Sequence, residues 1–302
     1  MKTESRPKKI DFRNLPIGLV CEGGITNSYI GKLKGIVERL GPVRANVLRV
    51  ASRIANSLRS GTPTENYDEL DSCGMIVVVA VPETMQILLD ELLAANIDWS
   101  GKTLLLLDSG LDCEDLSSFL QRHAQVATLD LIEGYQDLRF IVQSDSRTVK
   151  RLKSLLDGSH VRLLEIEWGT KPLYYAGLTI ATSLANPLMA ASVESLMGCG
   201  MELSQAQNIV DQTLHRTQRA FMKAGKRGWS GHLASKNTEA IRKQWSKLHH
   251  QNPVLANYFV EIATLSLEYF RQDSRFIADL ASIPRRQSGR VLKVSSSSTR
   301  NH

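Results

Sequence analysis

Residues Ile17 to Ser28 run Ile-Gly-Leu-Val-Cys-Glu-Gly-Gly-Ile-Thr-Asn-Ser, an apolar run that enters a small-residue turn. Helical spacing of apolar residues follows at Ile25, Tyr29, Leu33, Ile36, Val37 and Leu40. A strand, a tight turn and a helix in that order can cradle a pyrophosphate, because the helix N-terminus presents free N–H groups to an anion. Set against the dinucleotide fingerprint G-x-G-x-x-G, the three glycine positions are Cys21, Gly23 and Thr26, with Gly24 and Ile25 between the last two. Only the middle glycine survives, the one that lets the backbone approach a pyrophosphate. A dinucleotide would be held here with less help from the backbone than the full motif gives.

Other residues could complete such a site. Asn46 to Val50 reads as a second strand, so that Ala51-Ser52-Arg53 follows it. An acidic residue near this point would suit the ribose hydroxyls of NAD, whereas Ser52 and Arg53 suit the extra phosphate of NADP. Val81-Pro82 and Asp108-Ser109-Gly110 close two further apolar runs, which places Val81, Pro82 and Ser109 at strand ends. Lys171 opens a long apolar stretch and is the best proton donor; His232 and Tyr175 are secondary candidates. No H-E-x-x-H, Walker loop or paired-carboxylate spacing stands out, and no metal site is expected.

The elements that must position these residues alternate through the first half. Met75 to Val81 and Thr103 to Leu107 are continuous apolar runs of the kind buried on both faces in a parallel sheet. Gln125 to Leu129, Leu138 to Val142 and Val161 to Ile166 continue the strands, with helices such as Thr84 to Ala95 and Arg147 to Leu156 between them. After Trp168-Gly169 the pattern becomes helical only. Pro172 to Cys199 reads as one apolar helix kinked at Asn186-Pro187, Ser204 with Gln207 as a capping box, and Ala234 to His249 and Pro253 to Phe270 as two more helices. The fold class is therefore α/β: a Rossmann-like domain over 14–168, then an all-α domain over 169–282, flanked by flexible basic tails at 1–13 and 283–302.

Composition narrows the function classes. At 302 residues and 42% hydrophobic the chain can bury a core, and its four scattered cysteines suggest neither a disulfide framework nor zinc. With no apolar leader near the start, a cytoplasmic setting is expected. Pro172 to Val193 carries no charge, but asparagine, proline, serine and threonine dilute it, so a buried or homodimer-forming helix is expected rather than a membrane span. The net charge of +6 is uneven: the tails contribute +8 and residues 215–250 another +8, which leaves the remainder at −10. Such a basic block can bind nucleic acid, line a cleft for an anionic ligand or be a solvated face; with no aromatic platform interleaved in it, nucleic acid is disfavoured.

The chain resembles Rossmann-like bacterial proteins that carry a C-terminal helical domain of unknown function, relatives of pyrroline-5-carboxylate reductase and the β-hydroxyacid dehydrogenases. The resemblance rests on Ile17 to Thr26, Ala51-Ser52-Arg53, Val79 to Pro82, Leu107 to Gly110, Lys171 to Ser183 and Trp229 to Leu248. It implies a dinucleotide domain followed by a dimer-forming helical domain like that of 6-phosphogluconate dehydrogenase. The family's polar substrate face has been replaced: His-Thr-Ser-Gly reads Leu107-Asp108-Ser109-Gly110, His-Pro reads Asp130-Leu131, and Tyr-His reads Tyr174-Tyr175. Likewise an Asn reads Ser183, Gly-Pro reads Gly231-His232, and Arg-Gly-Asp reads Ser235-Lys236-Asn237. The expectation is an NADP(H)-binding oxidoreductase acting on a small carbonyl or imine compound, anionic or neutral. Its alternatives are an inactive sensing or interaction module and a polyanion binder.

Overall fold

A computed structural model describes residues 15–22, 30–270 and 274–282. Gly23, Gly24, Ile25 and Thr26, and both tails, lie outside the described residues. The chain divides between Leu178 and Thr179 into two compact units.

In the first unit the strands are β1 (Ile17–Cys21), β2 (Leu40–Ala45), β3 (Thr62–Thr64), β4 (Met75–Val79), β5 (Thr103–Leu107), β6 (Gln125–Leu131), β7 (Leu138–Ser144) and β8 (Val161–Glu165). The helices between them are α1 (Lys34–Val37), α2 (Leu48–Leu58), α3 (Pro82–Ala94), α4 (Ser117–Gln121) and α5 (Ser146–Leu156), with α6 (Lys171–Ala181) after β8. The strands form one sheet in the order β3-β2-β1-β4-β5-β6-β7-β8, parallel throughout except for the antiparallel pair β6 and β7. All five residues of β1 and of β5 are buried, as the unbroken apolar runs require. Period-two alternation then sends their side chains to two cores. Leu19, Val77, Leu105 and Leu107 pack with Ile54, Ala55 and Leu152 from α2 and α5, while Val20, Ile76, Val78 and Leu106 pack with Met85, Leu89 and Trp99.

Two readings of the early chain need correction. Residues 46–50 are not a strand: β2 ends at Ala45, and Leu48 already begins α2, so Ser52 and Arg53 lie inside that helix. The strand is hidden in the sequence because Gly41 and Pro42, poor strand formers, interrupt it. Leu40 belongs to β2, and among the described residues α1 is four residues long. Gly35 allows that short helix to press on α5, since a Cβ there would stand 1.8 Å from the Leu155 carbonyl oxygen.

The second unit takes the rest of α6 and then α7 (Ala185–Met197), α8 (Leu203–Ala224), a 3-10 turn at Gly225–Gly228, α9 (Thr238–Gln251), α10 (Pro253–Tyr269) and α11 (Ser274–Ala281). The expected single helix breaks between Ala181 and Ala185, upstream of the expected kink, because the Pro187 ring excludes the carbonyl one turn before it. The box that opens α8 is Glu202 with Gln205 rather than Ser204 with Gln207. Asn252 caps α10 by accepting from the N–H groups of Val254 and Leu255, and Pro253 occupies its first turn. Ile241, Val260, Ala263, Leu267 and Leu280 make this unit's core.

Candidate functional site

Strand order reverses at β1 and β4: the chain leaves β1 toward β2 on one side and resumes at β4 on the other. Both strands end at the same edge, and the crevice between such ends is where open parallel sheets take ligands. Cys21 closes β1 buried, its thiol near the Arg44 carbonyl oxygen at 3.7 Å and pushed up to about 12 by burial. Glu22 comes next; its N–H donates to the Val79 carbonyl at 3.2 Å, and its carboxylate accepts from the Thr84 hydroxyl in the first turn of α3. Val81 precedes α3 without a side-chain cap and Pro82, which has no N–H, opens it; the Thr84 N–H turns back to the Val81 carbonyl at 3.1 Å, so what this helix start offers an anion is the positive end of its dipole, with a carboxylate nearby. Past β2, Asn46 to Arg49 are exposed, with Arg53 exposed one turn beyond Arg49 on the same helix. Ser52 is half-buried.

The carboxyl ends of β5 and β6 carry a second group of polar residues. Asp108 follows β5 in the left-handed region at φ 48°, which a short polar side chain tolerates when it bonds locally. Its carboxylate accepts from Leu131 N–H at 2.6 Å. Ser109 is buried and accepts from Leu111 N–H at 3.2 Å. Asp130, in β6, is buried too; one oxygen accepts from Gly110 N–H at 3.3 Å and the other meets the ammonium of Lys171.

Lys171 therefore does not stand open at a crevice mouth. It is fully buried, the first residue of α6, and its charge is matched by Asp130. Its backbone N–H donates to Asp112 at 3.3 Å. Asp112 also accepts from Glu114 N–H at 3.1 Å and from the Gln143 amide at 3.0 Å. Burial pushes the Asp112 acid up, but these bonds outweigh it and hold the carboxyl below its ordinary range. Gln143 in turn receives Cys113 N–H at 2.8 Å and donates to the Glu167 carbonyl at 2.8 Å. One turn into α6, burial and then the nearby charges of Asp130 and Asp108 raise the Tyr175 phenol above its usual value. His232 lies in the second unit, exposed, with its Nδ1 2.8 Å from the Gln244 amide.

Residues 138–264 match the family model of a domain of unknown function, DUF2520. The likeness read from the sequence is thus to the right group of proteins. No curated protein matches the chain. Among solved structures, an imine reductase variant from Myxococcus stipitatus in complex with NAD+ aligns with TM-score 0.64 and 14% identity over 88% of this chain and 99% of its own. The same organism's imine reductase in complex with NADP+ gives TM-score 0.60 and 12% identity over 88% and 99%. A candidate NADP oxidoreductase of Bacteroides fragilis gives TM-score 0.63 and 12% identity over 83% and 97%. The chain has the Rossmann-like fold, followed by helices, that these oxidoreductases share.

The Asp130 and Lys171 pair yields a direct test. Removing one charge strands the other in a dry site, so Asp130→Asn and Lys171→Met are each expected to cost about 3–5 kcal/mol in urea unfolding. The double variant Asp130→Leu with Lys171→Met should cost much less than the sum of the two single changes. Additive single costs below about 1 kcal/mol would show that the pair is not a buried unit.

Proposed function

We propose that this protein binds NADP(H) in the crevice between the ends of β1 and β4 and acts as an oxidoreductase on a small carbonyl or imine substrate. The observation that carries the reading is the reversal of strand order there, with an uncapped α3 N-terminus beside it. The described residues fit a dinucleotide in their backbone and in the exposed arginines, while the Glu22 carboxylate must be accommodated by any phosphate that enters. Nicotinamide would supply the hydride.

The chain's own residues divide the remaining tasks. Cys21, Val81, Pro82 and Ser109 shape the crevice wall; the cofactor-binding role expected of Gly23, Gly24, Ile25 and Thr26 falls outside the described residues. Arg49 takes the 2′-phosphate role first, because it opens α2 immediately beyond β2; Arg53, a turn further, assists. Tyr175, held in its phenol form by burial and by the charge of Asp130, is the hydroxyl that would hydrogen-bond the substrate. Lys171 is a positioning residue that acts through Asp130.

The burial of Lys171 also favours a second reading, a non-catalytic module that senses the dinucleotide, since its ammonium is not free to protonate a substrate. Turnover of cyclic imines or keto compounds with NADPH separates the two.

Calorimetry tests the cofactor assignment. NADPH should bind more tightly than NADH, and Arg49→Ala should remove more of that preference than Arg53→Ala, on the order of 1.5–3 kcal/mol against less than about 1 kcal/mol. Equal affinity for both dinucleotides, or none at millimolar concentration, would end the NADP reading.

The helices that follow carry a second proposal. Lys171–Met197 is long and apolar enough to cross a membrane by length and composition, and Leu173, Ile180, Leu184 and Leu188 are exposed in the single chain. The break between α6 and α7 and the burial of Lys171 in the sheet unit favour cover by a second copy of this chain over lipid. Sedimentation without detergent should report a dimer, and Ile180→Glu with Leu184→Glu should yield monomers. A wild-type monomer, or a protein that stays in solution only with detergent, would refute it.

A further inference from the structure

The basic block has a spatial order that its linear sequence hides. In the second unit, Arg216, Arg219 and Lys223 recur at helical spacing along one face of α8, and Lys226 and Arg227 stand in the turn that follows the helix end. All five are exposed, and none is paired with a carboxylate among the described residues. The stripe opposes Leu203, Val210, Leu214 and Phe221 on the same helix, so it stays open when that apolar face is covered. From Arg216 to Lys223 it extends about 10 Å, at ~1.5 Å per helical residue, and the chain then turns back at Gly225 so that Gly228 lies against Ala220.

Aromatic residues distant in sequence gather at its end. Trp229 stacks on Phe270, with centroids 4.5 Å apart and planes 10° from parallel, and Tyr269 meets Phe270 edge-on at 5.6 Å. The ammonium of Lys226 lies 4.7 Å from the centre of the Tyr269 ring, which is 72% exposed. An open ring beside a row of unpaired cations offers what a solvated face does not: a surface for a base next to a track for its phosphates.

We propose that this surface binds single-stranded nucleic acid, with phosphates along Arg216, Arg219, Lys223, Lys226 and Arg227 and a base stacked on Tyr269. Single strands fit better than duplex because an isolated exposed ring can take an unpaired base, and no element here has the polar residues of a groove-reading helix. A basic face backed by an apolar one can also attract anionic lipid, so vesicle binding is the competing outcome of the test; the exposed ring beside Lys226 is what favours a base. The inference stands whether or not the first unit binds a dinucleotide.

Fluorescence anisotropy of the full chain with a labelled mixed-sequence 20-nucleotide RNA, at 50 to 200 mM salt, tests it. Wild type should bind in the micromolar range or tighter at 50 mM salt. Arg216→Gln with Arg219→Gln and Lys223→Gln should weaken binding at least tenfold at 50 mM and reduce the slope of log affinity against log salt by about 2, from ~0.7 for each phosphate no longer neutralised. Tyr269→Ala should weaken it at least fivefold and leave the slope unchanged, a stacking signature that loss of folding would not give. Unchanged circular dichroism melts confirm that both variants fold. No binding below millimolar, equal binding to a duplex or to anionic phosphatidylserine vesicles, or indifference to both variants would overturn the proposal.

Discussion

The burial of one lysine against one aspartate governs the polar end of the sheet. Two charges removed from water are tolerated only as a pair with further hydrogen bonds, so Asp130 at the end of β6 and Lys171 at the start of α6 must meet. Their meeting fixes where α6 begins. The Asp112 carboxylate secures the same point by accepting the Lys171 backbone N–H, and Tyr175, one turn on, stands within reach of the charge of Asp130.

Asp130 and Tyr175 belong to one electrostatic unit, since the charge of the carboxylate acts on the phenol. At the neighbouring crevice, Glu22 introduces a negative charge at the α3 N-terminus, held there by Thr84. A dinucleotide entering that crevice meets a helix that favours its phosphates and a carboxylate that does not.

Much of the fold is legible in the sequence because the central strands are buried on both faces, which leaves unbroken apolar runs such as Ile-Val-Val-Val and Leu-Leu-Leu-Leu in β4 and β5. Gly41-Pro42 hides β2, and a second strand placed too late puts Arg53 just beyond a strand end when it lies inside α2, a turn past Arg49. The site is less legible. Lys171 and Tyr175 are visible as residue types at a helix start, but nothing in the spacing shows that Asp130 neutralises the one and that its charge acts on the other. The basic block is readable as charge alone; its aromatic neighbour Tyr269 comes from α10 and is brought there by packing between helices.

Hydrogen–deuterium exchange of the full chain, with and without saturating NADPH, tests the central claim that the crevice between β1 and β4 is the ligand site. Slowed exchange is expected at residues 17–22, at 48–53 and across the first turns of α3 from 82 to 86, with residues 216–227 unchanged. Protection confined to 216–227 would mean that the basic stripe holds the anionic ligand and that the crevice does not, and unchanged exchange throughout would leave this fold without its expected ligand.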